Sequence, residues 1–108
     1  MAWEAANEAL GSAPMMSPEV EQLIGKAVVE LKAAGARQVF AFGSAARGTL
    51  RPDSDLDLAV SGLPPARFYR AMARASDAAG RAIDLLDLDR PTPFGRYLVE
   101  ENELVCVG

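Results

Sequence analysis

The chain has 108 residues, half of them hydrophobic and 24% charged, with a formal net charge of −4 at pH 7. This length and composition predict one globular domain, and the acidic balance argues against direct nucleic-acid binding. The absence of histidine excludes His-ligated zinc sites and Ser-His-Asp triads, and the single cysteine, Cys106, excludes an intramolecular disulfide. No apolar run approaches the roughly 20 residues that span a bilayer, and residues 1–10 lack the pattern of a signal peptide. We therefore expect a cytoplasmic protein without a membrane partner.

The first predicted elements are helices. Residues 1–16 are expected to form an N-terminal extension, whose order the sequence leaves open, with a short helix over 3–10 that ends at Gly11. A second helix begins at Ser17-Pro18, because a hydroxyl cap followed by proline is typical of a helix start. Apolar residues then recur at the α-helical period until Gly35, which predicts a helix with one buried face.

Short alternating elements follow. Strands are predicted over 38–42, 55–60, 82–88 and 103–107, a helical turn after Gly43-Ser44, and helices from Pro64-Pro65 to Gly80 and over 93–102. This order predicts an α/β (α+β) fold, in which a small mixed sheet has helices packed against it.

The pattern Asp55-x-Asp57 carries the strongest chemical signal. Alternation along a strand places both carboxylates on one face, about 6.5 Å apart, where they repel each other unless a cation lies between them. Carboxylate oxygens together with substrate phosphates are typical ligands of Mg²⁺. An isolated Asp-x-Asp is usually a solvated strand face, but Leu56 and Leu58 indicate a half-buried strand and favour a metal site.

A third carboxylate, Asp84, lies in the apolar strand over 82–88. An unpaired carboxylate buried there would be costly without a metal or a partner. If the two strands are neighbours, Asp84 completes a cluster that could hold two metal ions. Asp87 and Asp89 compete for this role, but they lie at the strand end, where solvation is cheap, and we prefer Asp84.

Phosphate-binding features precede these acids. Gly43 permits close approach of the backbone to a ligand, Ser44 adds a hydroxyl, and Arg47 lies one helical turn further on. Taken alone, Gly-Ser is a weak signal, because most such pairs are turns.

The complete string resembles the minimal nucleotidyltransferases of the DNA polymerase beta superfamily. Gly43-Ser44 is followed after ten residues by Asp55-x-Asp57, with Ala46-Arg47-Gly48 and Ser54 in place and Ile83-Asp84-Leu85-Leu86 further on. The resemblance implies that residues 17–108 form a nucleotidyltransferase domain with the polymerase-beta-like fold. It also implies the roles of six residues: Gly43, Ser44 and Arg47 bind the phosphates of ATP, Asp55 and Asp57 bind two Mg²⁺ ions, and Asp84 joins the metal site and activates the acceptor hydroxyl.

Three functions stay open. Small members of this family are commonly antitoxins that transfer AMP to a helical HEPN-type toxin, an RNase, and we expect this activity towards a hydroxyl, a tyrosine by preference. The first alternative is a small-molecule nucleotidyltransferase similar to aminoglycoside-modifying enzymes, which usually carry an added helical domain. The second is a binding module that silences a partner by docking alone. Arg67, Arg70 and Arg74 share one helix face, which is either solvated or a docking surface.

Overall fold

The computed structural model describes residues 17–108; the extension over 1–16 and its expected helix lie outside the described residues. Five helices and four strands follow one another along the described chain. They are α1 (Pro18–Ala33), β1 (Gln38–Ala41), α2 (Gly43–Arg47), β2 (Leu56–Ser61), a short 3₁₀ helix (Pro65–Arg67), α3 (Phe68–Ala79), β3 (Ile83–Asp87), α4 (Pro93–Glu100) and β4 (Val105–Cys106). None of these helices is long and apolar enough to cross a membrane.

The start of α1 follows the sequence signal. The Ser17 side chain accepts a hydrogen bond from the backbone N–H of Val20 at 3.3 Å, and Pro18 occupies the first helical position. The predicted apolar stripe buries Ile24, Ala27 and Leu31. Helix α1 is therefore capped and amphipathic as the sequence predicts.

The four strands form one mixed sheet in the order β3-β2-β1-β4. Strand β1 runs antiparallel to β2 and β4, whereas β2 and β3 are parallel and are joined by α3. A parallel pair requires such a crossover, because a tight hairpin cannot return the chain in the same direction. The predicted mixed sheet with packed helices is confirmed.

The main core lies between one face of this sheet and the helices α1 and α3. Leu56, Leu58 and Val60 of β2 point into it, where they meet Leu31 from α1 and Ala75 from α3. The predicted alternation along β2 is thereby confirmed, and it directs the side chain of Asp57 to the other face.

Helix α4 covers part of that second face. Its Leu98 packs with Phe42 and Ala59 in a small separate cluster. The helix ends two residues earlier than the sequence predicts, because Asn102 adopts a left-handed φ of +54° and the N–H of Glu103 returns to the carbonyl of Leu98 at 2.9 Å. The carboxylates singled out by the sequence lie on this partly covered face.

Candidate active site

Asp57 and Asp84 lie side by side on neighbouring strands. They are register partners in the parallel pairing of β2 with β3, so the two backbones are about 4.8 Å apart at this position. Leu56, Leu58, Ile83 and Leu85, which flank them, are all buried in the main core. Both carboxylates therefore project from the opposite face of the sheet.

Asp55 lies immediately before β2 rather than within it, and its side chain is exposed. Its charge nevertheless acts on Asp57. Partial burial raises the pKa of Asp57, and the negative charges of Asp84 and Asp55 raise it further. Asp57 thus lies within electrostatic reach of both of the other carboxylates.

The predicted burial of Asp84 is wrong. Asp84 is exposed, whereas Asp87, for which its place at the strand end predicts solvation, is only 8% exposed. Asp87 is stabilised by local partners: its Oδ1 accepts a hydrogen bond from the N–H of Asp89 at 2.9 Å, and its Oδ2 lies 3.7 Å from Nε of Arg90. The Asp-x-Asp-Arg sequence carries a signal for this turn, since aspartate side chains commonly accept from the N–H two residues on. The case for Asp84 depends instead on its register with Asp57.

Gly43 lies against Asp57. Its φ is +62°, a left-handed conformation that favours glycine, and a Cβ atom there would stand 2.5 Å from Oδ2 of Asp57. The pairing of β1 with β2 produces this proximity, because the N–H of Phe42 donates to the carbonyl of Asp57 at 3.1 Å. Gly43, the glycine of the Gly-Ser pair, therefore lies directly beside the carboxylate of Asp57.

Ser44 and Arg47 lie on the five-residue helix α2, which ends at Gly48 with φ +75°. Ser44 is half-buried, and the side chain of Arg47 is 64% exposed. Nη2 of Arg47 lies 3.6 Å from Oε1 of Glu103, beside β4. Sequence reasoning missed Glu103, because no local pattern relates two residues so far apart in the chain.

The donor set is suited to Mg²⁺. Carboxylate oxygens are its preferred protein ligands, and one or two of them commonly suffice when substrate phosphates and waters complete the shell. Burial and the negative charges of Asp84 and Asp55 together raise the pKa of Asp57, and a bound cation would favour its ionised form. Among residues 17–108, however, no three His, Cys, Asp or Glu side chains are arranged to hold one ion. The complete cluster of Asp55, Asp57 and Asp84 stays a prediction.

The chain belongs to the polymerase beta nucleotidyltransferase family. The sequence profile described as "Polymerase beta, Nucleotidyltransferase" matches residues 29–107, a segment that includes the Gly-Ser step and the carboxylates. The resemblance inferred from the motif is confirmed. No protein of curated function matches the chain in sequence.

Three solved structures share the fold. One is described as a toxin-antitoxin with AMP-PNP; it is 21% identical, with a TM-score of 0.66 over 78% of this chain and 71% of that chain. A second, a mutant of the toxin-antitoxin MntA-HpeT, is 19% identical, with a TM-score of 0.65 over the same shares. A third, a minimal nucleotidyltransferase, is 29% identical, with a TM-score of 0.65 over 80% of this chain and 93% of that chain.

Proposed function

We propose that this chain transfers AMP from ATP to a hydroxyl of a separate helical protein, as the antitoxin of a toxin-antitoxin pair. The observation that carries this proposal is the adjacency of Asp57 and Asp84 on the sheet face that also meets Gly43. Membership of the nucleotidyltransferase family supplies the reaction class.

In nucleotidyl transfer, the protein contributes mainly by positioning the reactants and neutralising their charge. Asp55, Asp57 and Asp84 would hold two Mg²⁺ ions, which when bound neutralise phosphate charge and lower the pKa of the acceptor hydroxyl. Gly43, Ser44 and Arg47 would bind the triphosphate of ATP. The acceptor oxygen would form its bond to the α-phosphorus as the bond from that phosphorus to pyrophosphate breaks, so that pyrophosphate leaves and the hydroxyl proton is released to water.

The acceptor must come within about 3–3.5 Å of the reacting phosphorus, in line with the leaving group. Residues 17–108 build one sheet with its covering helices, and no separate substrate-binding module lies among them. A partner protein would supply both the hydroxyl and the surface that orients it. That a toxin-antitoxin with AMP-PNP has this fold supports a toxin as the partner. Its HEPN type and a tyrosine acceptor follow from the motif resemblance.

The two faces of the sheet support a proposal for the side from which the acceptor approaches. Arg67, Arg70 and Arg74 line a groove of about 220 Å³ between α1 and α3, which cover the other face of the sheet. A partner docked in that groove would stand on the far side from Asp57 and Asp84. The acceptor hydroxyl therefore approaches on the α4 side, and the arginine face is not the surface that presents it.

The test is intact-mass analysis of a co-encoded helical HEPN-type protein after incubation with this chain, ATP and Mg²⁺. We expect the mass of that protein to rise by one adenylyl group (AMP less one water), and we expect no rise when Mg²⁺ is removed by a chelator. A parallel reaction offers free aminoglycosides and should leave them unmodified. Modification of the aminoglycoside with no change in the protein's mass would favour a small-molecule transferase, and complex formation without any transfer would favour a docking module.

A further inference from the structure

An exposed aromatic ring lies beside the candidate active site. Phe94, in the first turn of α4, is 52% exposed. Its ring packs edge-to-face on Phe42, with centroids 5.8 Å apart and the ring planes at 68°. Phe42 immediately precedes Gly43, and its N–H donates to the carbonyl of Asp57. One buried ring thus separates Phe94 from the segment that would bind phosphate.

The packing of α4 does not account for this ring. The helix is anchored through its buried residues Gly95 and Leu98, whereas about half of the Phe94 ring stays in water. Single exposed apolar residues are common on protein surfaces and by themselves indicate nothing. Phe94 differs in its position, because it lies on the same face of the sheet as Asp57 and Asp84 and is held by Phe42.

We propose that the exposed part of the Phe94 ring is the platform on which the base of the nucleotide donor stacks. This inference rests on the proposed function, and it assigns a nucleobase site that the phosphate and carboxylate residues do not provide. Stacking of a base on an aromatic side chain contributes about 1–3 kcal/mol and tolerates different bases, because each has a π-face. The contact with Phe42 holds the ring in place, so that little side-chain freedom is lost when the base arrives.

Tyr97 provides a matched control. It lies one turn further along α4 and is equally exposed, at 52%, but it stacks on no other aromatic ring among residues 17–108. Removing the Tyr97 ring changes the exposed aromatic area of α4 without touching the Phe42–Phe94 pair.

The experiment compares two ligands by calorimetry on the full chain in Mg²⁺: AMP-PNP, which has a base, and inorganic tripolyphosphate, which has none. In Phe94→Ala we expect the affinity for AMP-PNP to fall about 5- to 150-fold, the equivalent of 1–3 kcal/mol, while the affinity for tripolyphosphate is unchanged. Phe94→Tyr should bind AMP-PNP as the wild type does, and so should Tyr97→Ala.

Different contrary results would overturn the stacking site alone or the proposed function as well. A loss of AMP-PNP binding in Tyr97→Ala but not in Phe94→Ala, or an equal loss of both ligands in Phe94→Ala and in the better-packed Phe94→Leu, would overturn the stacking site alone. Wild-type protein that binds neither ligand would overturn the proposed function, and this inference with it.

Discussion

Gly43 and Asp57 adjoin so closely that a methyl group on Gly43 would stand 2.5 Å from Oδ2 of the carboxylate. Real Cβ atoms do not approach other atoms to this distance, so any side chain at position 43 must displace Asp57. Two features therefore favour glycine at position 43. Its φ of +62° is a left-handed conformation that other residues rarely adopt, and the Asp57 carboxylate leaves no room for a side chain.

Gly43→Ala should destabilise the fold and also impair the site. The left-handed backbone costs a non-glycine residue about 1–2 kcal/mol, and 1 kcal/mol lowers the melting temperature of a domain this size by roughly 4–8 °C. Displacement of Asp57 should in addition weaken Mg²⁺-dependent nucleotide binding. Thermal unfolding and calorimetry measure the two effects separately.

Gly80 is the matched control for this substitution. Its φ is +67°, close to that of Gly43, but a Cβ atom there meets no other atom within 4 Å. Gly80→Ala should lower the melting temperature by a similar amount and leave nucleotide binding intact. Equal binding losses in both variants would show that the contact between Gly43 and Asp57 has no functional role.

Asp57→Asn should stabilise the metal-free protein at neutral pH. Burial and the charges of Asp84 and Asp55 raise the pKa of Asp57 above its ordinary value of 3.8, so the folded state disfavours the ionised carboxylate. Because Asp57 is half-buried and partly screened by water, the gain should be less than about 1 kcal/mol. The measurement is the melting temperature in a chelating buffer.

The same shift predicts a pH dependence. Between pH 3.8 and the raised pKa, the folded state binds more protons than the unfolded state, so the unfolding free energy falls as pH rises through this window. The advantage of Asp57→Asn should be complete above the window and should vanish as the pH is lowered towards 3.8. An advantage that grew on acidification would contradict the assigned cause.

Substitutions of Asp87 and Asp84 should have opposite effects: the first should lower stability, and the second should abolish transfer. Asp87→Ala removes a buried carboxylate that accepts from the N–H of Asp89 and faces Arg90, which should cost about 1–3 kcal/mol of unfolding free energy. Asp84→Ala removes an exposed group and should leave the melting temperature nearly unchanged while it abolishes transfer. Denaturant unfolding and a transfer assay on both variants check this, and the reverse pattern would exchange their roles.

Arg47 should contribute to ATP binding and little to stability. Its ion pair with Glu103 is largely exposed, and such pairs contribute about 0–1 kcal/mol. Arg47→Ala should weaken ATP binding more than Ser44→Ala does, because a charge-assisted contact is roughly twice as strong as a neutral one. Glu103→Gln breaks the same ion pair but keeps the cation, so it should bind ATP at least as tightly as the wild type. Unchanged affinity in Arg47→Ala would refute the assignment.

The sequence predicts local structure well where a single residue dictates the backbone. Ser17-Pro18 marks the start of α1, and the alternation of Leu56 and Leu58 about Asp57 assigns the two faces of β2. From the sequence, the adjacency of Asp57 and Asp84 is only a conditional prediction, because no local pattern specifies which strands are neighbours in the sheet.

Burial of the acidic residues could not be predicted in this way. Asp84 lies between apolar neighbours and is exposed, whereas Asp87 lies at a strand end and is buried. The burial of each residue depends on which face of β3 is covered by α3. Glu103 and Phe94 could not be predicted for the same reason, because each is of interest only through its contact with a residue distant in the chain.

The most direct test of the account is transfer of label from α-³²P-ATP to a helical HEPN-type partner by three proteins: wild type, Asp57→Asn and Asp77→Asn. Asp77 is an exposed aspartate on α3, which packs on the other face of the sheet, so its substitution makes the same change of charge away from the site. We expect Mg²⁺-dependent labelling of the partner by wild type and by Asp77→Asn, and none by Asp57→Asn. Labelling by Asp57→Asn at the wild-type rate would contradict it.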